Sequence, residues 1–205
     1  MISPRFVLLG SLLDIVGVAL YVRDTWNGST APNRVTWTLW GVMPLLAFGV
    51  QRQEHIGWAS IMALVLGLGP FVVLAVSFHD PNAVWRIGRF DVVCGAISLV
   101  GLGFWVASSH PTVALISFVV ADAVAALPTV RKAFVAPQSE TSWNFLAVAI
   151  FALLTMLSLR QWTTAGALFA TSILVMNIVI WLFITTKVGR RSESFPRNVN
   201  ETMTS

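Results

Sequence analysis

Apolar residues in this chain gather into long continuous runs that short polar segments separate. Seven runs lie near residues 4–22, 35–50, 56–78, 90–108, 111–130, 143–159 and 164–186. A helix needs about 20 mostly apolar residues to cross the hydrocarbon of a bilayer, and most of these runs approach that length. Membrane β strands would instead alternate between apolar and polar residues. The pattern therefore predicts an all-α membrane protein with seven transmembrane helices.

Polar residues that interrupt the runs repeat at an offset of 108 positions. The matched pairs are Asp14 with Asp122, Arg23 with Arg131, and Gln53 with Gln161. The repeat indicates two similar triplets of helices, and the fourth run adds one crossing that gives both triplets the same direction. The predicted plan is a 3+1+3 arrangement of two parallel three-helix repeats, which is known among transporters.

The connections between the runs are too short to hold a soluble domain. Residues 1–187 are therefore predicted to form a single membrane domain, with repeat one at about 4–80, a linker helix at about 90–108 and repeat two at about 111–187. Residues 188–205 are polar and lack apolar periodicity, and such segments do not bury enough apolar surface to fold. They are predicted to form a flexible cytoplasmic tail.

Composition agrees with a membrane protein, because 56% of the residues are hydrophobic, 11% are charged and the mean hydropathy is +0.78. Lys and Arg near membrane ends are retained in the cytoplasm during insertion. Of the 13 basic residues, ten fall on one side of a seven-span chain: Arg23, Arg34, Arg86, Arg89, Arg131, Lys132, Lys187, Arg190, Arg191 and Arg197. The N-terminus is thus predicted to lie outside and the C-terminus in the cytoplasm. No nucleic-acid partner is expected, since these charges are spread over loops without an aromatic-laced basic surface.

Two segments resemble the PQ-loop motif of a known transporter superfamily. Ala136-Pro137-Gln138 is followed by Trp143, and Ala31-Pro32-Asn33 is followed by Trp37. The helix count, the repeat and the predicted orientation agree with these motifs. The chain therefore resembles a bacterial member of the PQ-loop and SWEET transporters. The resemblance implies a transporter of a bacterial inner (plasma) membrane. It also implies motif or hinge positions at Pro32, Asn33, Trp37, Pro128, Pro137, Gln138 and Trp143.

The chain departs from the pattern of that family at two places. Asn33 stands where the first motif would carry glutamine. In the family a proline commonly breaks the first helix of each triplet; Pro128 is expected to do so in the fifth run, whereas Leu20 occupies the aligned position in the first. We therefore expect the two halves to hinge unequally.

Asp14 and Asp122 are the strongest candidates for a functional site. A carboxylate at hydrocarbon depth is costly unless it is neutral, paired or facing water. Each aspartate is nine residues, or about 13 Å along a helix, from the arginine at the end of its run, which is too far for an ion pair. In a functional interpretation the two carboxylates face a central cavity and bind a proton or a solute. In a structural interpretation each accepts hydrogen bonds from neighbouring helices.

Asn177 and Trp40 are the next candidates for solute binding. Asn177 lies in the middle of the seventh run, where its amide can contact a solute or form an interhelical hydrogen bond. In SWEET-type transporters an asparagine on the third helix of each half contacts sugar, and the counterpart of Asn177 here would be Gly69 or Pro70. Trp40 could form the wall of a cavity. Seven other tryptophans fit the headgroup level of a membrane: Trp26, Trp37, Trp58, Trp85, Trp105, Trp143 and Trp162.

Enzymatic chemistry has no support in the sequence. The chain has no phosphate-binding glycine loop, no recognisable metal-ligand spacing and no nucleophilic serine elbow. No catalytic residue, metal or cofactor is therefore expected.

Two hypotheses of different classes remain open at this point. The leading one is a transporter of a small polar solute, sugar-like or amino-acid-like, that works by alternating access, with proton coupling through Asp14 or Asp122 as an option. The alternative is a non-transporting receptor, a sorting protein or an accessory subunit with a PQ-loop-like fold. The expected partners are the lipid bilayer and the solute, and a homo-oligomer or a larger membrane complex is compatible with either hypothesis.

Overall fold

The structure is a computed structural model that describes residues 3, 5–53, 59–79, 85–108, 111–159 and 164–189. Within these ranges all regular secondary structure is helical, which confirms the predicted all-α class and the seven α helices. The α helices are α1 (Phe6–Trp26), α2 (Arg34–Gln53), α3 (Ala59–Val76), α4 (Arg89–Ala107), α5 (Pro111–Val135), α6 (Ser142–Leu157) and α7 (Thr164–Thr186), and Pro137–Ser139 forms a 3₁₀ helix. Gln161 and the predicted tail from residue 190 onward lie outside the described residues.

Each apolar run forms one helix, and α1, α2 and α5 extend beyond the ends of their runs, α2 by three residues to Gln53. The first run ends near residue 22 whereas α1 ends at Trp26, and the fifth ends near residue 130 whereas α5 ends at Val135. An apolar run marks only the apolar part of a helix. The residue at which the helix ends is set by capping and by contacts with the segment that follows. The additional turns carry Asp24 and Lys132, which both make contacts with the segment between α5 and α6.

Three of the described helices are long and apolar enough to cross a membrane by length and composition: α1, α4 and residues Ala167–Thr186 of α7. The stretches Ser60–Val76 and Ser142–Leu157 are apolar but shorter. Helix α4 also carries side chains that are apolar and more than half exposed, namely Val92, Val93, Ile97, Leu99, Val100, Phe104 and Val106.

The helices pack in matching pairs. Helix α3 contacts both α1 and α2, and α7 contacts both α5 and α6. Helices α1, α2 and α3 thus form one group, and α5, α6 and α7 form another. Between these groups α1 packs against α6 and α2 packs against α5, while α4 lies against α5 and α2. Pairing of α1 with α6 depends on Gly17, because a Cβ atom there would lie 2.8 Å from the Cβ of Ala147. The glycine therefore lets the two backbones approach closely.

Two clusters of buried apolar side chains lie at different levels of the bundle. One contains Val7 and Met62 with Phe151, near the start of α1. The other contains Tyr21 and Trp37, near the end of α1. The candidate site lies between these two levels.

Prolines within the helices do not end them. Pro44, Pro70 and Pro128 all lie inside assigned helices, so the expected break of the fifth run at Pro128 is not observed and α5 continues to Val135. A proline removes one helical hydrogen bond in the preceding turn. In that turn of α5 the hydroxyl of Thr36 donates to the carbonyl of Ala125 at 2.9 Å. A side chain from α2 thus supports α5 next to its proline.

Candidate functional site

Four residues that the sequence singles out line one cavity. Asp14 comes from α1, Trp40 from α2, Asp122 from α5 and Asn177 from α7. The empty space between the lining residues is about 530 Å³, counting the part continuous with the surroundings. Six of the seven α helices contribute to its wall, since α3 adds Pro70 and α6 adds further side chains.

The two aspartates are buried without partners. Asp14 is 2% exposed and Asp122 is 5% exposed. Within the described part of the chain, neither carboxyl group has a hydrogen-bond or ion-pair partner. The structural interpretation, in which each carboxylate accepts hydrogen bonds from neighbouring helices, is therefore not supported. Buried carboxyl groups normally have hydrogen-bond or ion-pair partners. Because these two have none, both retain their capacity to bind a proton or a ligand.

Asn177 and Trp40 take different positions on the wall. The Nδ2 atom of Asn177 donates to the carbonyl of Ile173 at 2.9 Å, one turn earlier in the same helix. The interhelical hydrogen bond considered from the sequence is thus replaced by a bond within α7, which leaves the amide oxygen as an acceptor. Trp40 contacts Trp37 and Phe145 in edge-on geometry, with ring centroids 5.7 and 6.4 Å apart. These contacts fix the orientation of its ring at the cavity.

Asn144 is a cavity residue that the sequence analysis missed. It lies in α6, is 3% exposed and has a side-chain oxygen without a hydrogen-bond partner. The signal that could have found it is the one that singled out Asn177, an amide within an apolar run. Its position beside Trp143 in the motif segment drew attention to the tryptophan instead. The cavity therefore carries two carboxyl groups and two amides.

A buried polar cluster lies toward one end of the bundle, and we define it as Tyr21, Ala31, Lys132, Ser139 and Glu140. The Nζ atom of Lys132 lies 2.8 Å from Oε1 of Glu140, and neither side chain is exposed. Lys132 also donates to the carbonyls of Ala31 and Ser139, and the hydroxyl of Tyr21 donates to Oε2 of Glu140 at 2.7 Å. The full set of hydrogen bonds satisfies an ion pair that would otherwise be costly to bury.

The position of this cluster relative to the cavity follows from the helices that carry it. Tyr21 is seven residues beyond Asp14 in α1, or about 10 Å, and Lys132 is ten residues beyond Asp122 in α5, or about 15 Å. Tyr21 and Lys132 both lie nearer than the aspartates to the carboxyl ends of their helices. The polar cluster therefore lies beyond the cavity, toward the carboxyl ends of α1 and α5. Lys132, which the sequence analysis counted as a loop charge, belongs to the interior.

The two motif-like segments meet at this same end. The backbone N–H of Ala31 donates to the carbonyl of Ser139 at 3.1 Å. The hydroxyl oxygens of Thr30 and Thr141 are 2.7 Å apart, and the Thr141 hydroxyl donates to Asp24 at 2.9 Å. Since the Thr141 proton is used by Asp24, Thr30 is the donor in the hydroxyl pair. The two segments are thus joined by backbone and side-chain hydrogen bonds.

Asn33 holds the start of α2. Its Oδ1 atom accepts from the backbone N–H groups of Val35 and Thr36 at 3.1 and 3.3 Å, which is an N-cap. Its Nδ2 atom donates to Asp91 at 2.6 Å, and the other oxygen of Asp91 accepts from the N–H of Gly88 at the start of α4. One amide therefore ties the beginnings of α2 and α4 together.

The other motif residues divide between the interior and the surface. Pro32 and Pro137 are buried, whereas Gln138 is exposed and Trp143 is 63% exposed. Trp37 is 2% exposed and packs on Tyr21 with ring centroids 4.6 Å apart, so its assignment to a headgroup belt is wrong. The rotation of α2, which an apolar pattern does not define, turns this ring toward α1.

No protein-family model, curated protein or solved structure matches this chain. The function is therefore inferred from the fold and the cavity.

Proposed function

We propose that this protein is a membrane transporter that moves a small polar solute by alternating access, with Asp14 and Asp122 as the central solute- or proton-binding groups. One observation carries the proposal: two buried carboxyl groups without partners, on equivalent helices of a repeated sequence, line the same cavity. A stable packing role would leave them hydrogen-bonded. A transport role requires them to exchange partners.

A membrane location is supported by the outer surface of the bundle. The apolar side chains that α4 exposes would be unfavourable in water and favourable in lipid. Three helices have the length and apolarity of membrane spans. In the proposed topology all seven helices cross the membrane, the N-terminus is outside and the C-terminus is cytoplasmic, as the distribution of basic residues predicts.

The 3+1+3 plan of the PQ-loop and SWEET resemblance is supported by the helix contacts. Contacts of α3 with α1 and α2 have equivalents in the contacts of α7 with α5 and α6. The contact of α1 with α6 has its equivalent in the contact of α5 with α2. We propose that these triplets are the two parallel repeats, and that they move relative to each other around the cavity.

Alternating access requires that one end of the cavity be closed at a time. The polar cluster and the contact between Thr30 and Thr141 join the two proposed halves at the end that the distribution of basic residues predicts to be cytoplasmic. The described conformation is thus closed toward the cytoplasm in this proposal. Opening that end would separate hydrogen-bonded groups, and its cost would be offset by new contacts at the opposite end.

Solute flux into vesicles tests the proposal. The full-length chain is reconstituted, and uptake of radiolabelled glucose, glycine and putrescine is compared with uptake into protein-free vesicles. We expect at least one solute to enter faster with the protein, and we expect Asp14→Asn and Asp122→Asn to reduce that flux by about tenfold or more. Ser98→Ala is the matched control, because Ser98 is buried in α4 and does not line the cavity. Equal uptake with and without folded protein for all three solutes would contradict transport.

A further inference from the structure

Among the described residues, the lining of the cavity contains acceptor oxygens and no basic side chain. Its polar side chains are those of Asp14, Asp122, Asn144 and Asn177, and the other lining residues are apolar or aromatic. A solute carboxylate or phosphate would meet two carboxyl groups and would find no cation to pair with. The charge of the lining therefore disfavours anionic solutes and zwitterionic solutes such as neutral amino acids.

Two carboxylates without partners favour a positively charged ligand. Burial of a charge is costly unless an opposite charge compensates it. An ammonium group on a solute supplies that charge and forms charge-assisted hydrogen bonds, which are shorter and stronger than neutral ones. A neutral polyol would form hydrogen bonds with the two carboxyl groups but would not compensate the charge of either group in its ionised form.

Asn144 indicates a ligand independently of the two aspartates. Its amide lines the cavity, yet its oxygen has no hydrogen-bond partner although the residue is almost completely buried. The two ends of an asparagine amide exchange places on a half turn of the side chain, so that either end can face a ligand. An ammonium group has three donors. Two carboxylates and one amide oxygen would supply three acceptors.

The rest of the wall suits the remainder of an alkylammonium molecule. The ring of Trp40 is held at the cavity, and tryptophan is the aromatic side chain that attracts cations most strongly. Leu66, Pro70 and Met176 provide apolar surface for a short alkyl chain.

We propose that the cavity binds a small organic cation, with its ammonium group between Asp14 and Asp122 and its alkyl part against the apolar wall. This inference rests on the proposed function for its role in transport, but the binding itself does not require transport. It narrows the solute from a general polar molecule to an amine.

A series of three molecules of equal chain length tests the charge requirement. Putrescine carries two ammonium groups, aminobutanol carries one and butanediol carries none. Binding to the full-length chain in lipid nanodiscs is measured by isothermal titration calorimetry. We expect aminobutanol and putrescine to bind at least about tenfold more tightly than butanediol. Butanediol binding as tightly as the amines, or no binding of either amine, would overturn the proposal.

Variants of the cavity locate the binding in the protein. Asp14→Asn and Asp122→Asn are each expected to weaken aminobutanol binding by about tenfold or more, whereas Ser98→Ala should leave it unchanged. Asn144→Asp provides a test in the opposite direction that does not depend on removing a buried carboxylate. This change adds a carboxylate of nearly the same shape and should tighten aminobutanol binding. Unchanged binding in folded Asn144→Asp together with both asparagine variants would overturn the assignment.

Binding and flux separate this inference from the proposed function. Amine binding without flux of any solute would contradict transport and leave the cation site supported. Flux of glucose without amine binding would support transport and overturn the cation site.

Discussion

The ammonium group of Lys132 lies 2.8 Å from the carboxylate of Glu140, and both side chains are completely buried. The two residues are separated by the end of α5 and a 3₁₀ helix, so the ion pair fixes the turn between them. The same carboxylate accepts the hydroxyl of Tyr21 from α1. The pair therefore joins local chain folding to the contact between the two halves.

Removal of one member of this pair should destabilise the protein strongly. Lys132→Met leaves the Glu140 carboxylate buried without its cation, and we expect a loss of about 3–5 kcal/mol in the free energy of unfolding. The double variant Lys132→Met with Glu140→Leu removes both charges and should recover much of that loss. Arg23→Gln is the control, since Arg23 forms a largely exposed pair with Asp24 that should contribute about 0–1 kcal/mol. Unfolding in denaturant, followed by circular dichroism in detergent, measures each change. A double variant as unstable as the single one would contradict this account.

A disulfide between the two motif segments should stop transport reversibly. The hydroxyl oxygens of Thr30 and Thr141 are 2.7 Å apart, so cysteines at these positions should be close enough to react. We expect Thr30→Cys with Thr141→Cys, in a Cys94→Ala background, to form a disulfide on oxidation and to lose flux until a reductant is added. Gel mobility and vesicle uptake are measured on the same sample. Thr30→Cys alone should be insensitive to the oxidant, and full flux through the cross-linked protein would exclude opening at this end.

The two matched motif positions should differ in their tolerance of substitution. Asn33→Ala removes the N-cap of α2 and the donor to Asp91, and we expect a loss of about 0.5–2 kcal/mol for the cap alone. Gln138→Ala changes an exposed side chain and should alter the free energy of unfolding by less than about 0.5 kcal/mol. Thermal or chemical unfolding of the two variants provides the comparison. Equal losses at both positions would show that the cap does not account for the role of Asn33.

Two glycines provide a similar contrast in packing. Gly17→Ala would place a Cβ atom 2.8 Å from the Cβ of Ala147, and we expect overpacking between α1 and α6 to cost about 1–3 kcal/mol. An added Cβ at Gly103 meets no atom within 4 Å, so Gly103→Ala should stabilise α4 by up to about 1 kcal/mol. Midpoints of unfolding in a common detergent measure both effects. A stabilised Gly17→Ala variant would contradict the close approach of α1 and α6.

Features that depend on composition along the chain could be predicted from the sequence. The continuous apolar runs predicted the number and order of the helices, because helix formation there depends on local residue type. Asp14 and Asp122 were recognised as a pair because a carboxylate is rare in an apolar run. Their shared cavity agrees with that inference, while their role in transport stays a prediction.

Features that depend on helix rotation and on tertiary pairing could not be predicted in this way. The sequence predicts Trp37 at the headgroup level because it lies at the start of its run, yet the rotation of α2 turns its ring into the interior. The sequence places Lys132 among the charges that determine membrane topology, because a lysine at a helix end is usually solvated. In the structure it is buried in an ion pair with Glu140. Asn144 carries the same signal as Asn177, an amide within an apolar run, but that signal does not show which side of α6 faces the cavity.

In the proposed 3+1+3 arrangement, the crossed packing of the two triplets gives α4 a role beyond its own contacts. Because α1 packs on α6 and α2 packs on α5, neither group of three helices completes its interior alone, and each supplies only one aspartate to the cavity. Two separate half-proteins would have to meet as a dimer. A covalent tether such as α4 raises the effective concentration of one half around the other to about the millimolar range. It also holds their stoichiometry at one to one, so each proposed half can carry its own residues, as at Asn177, where the counterpart would be Gly69 or Pro70.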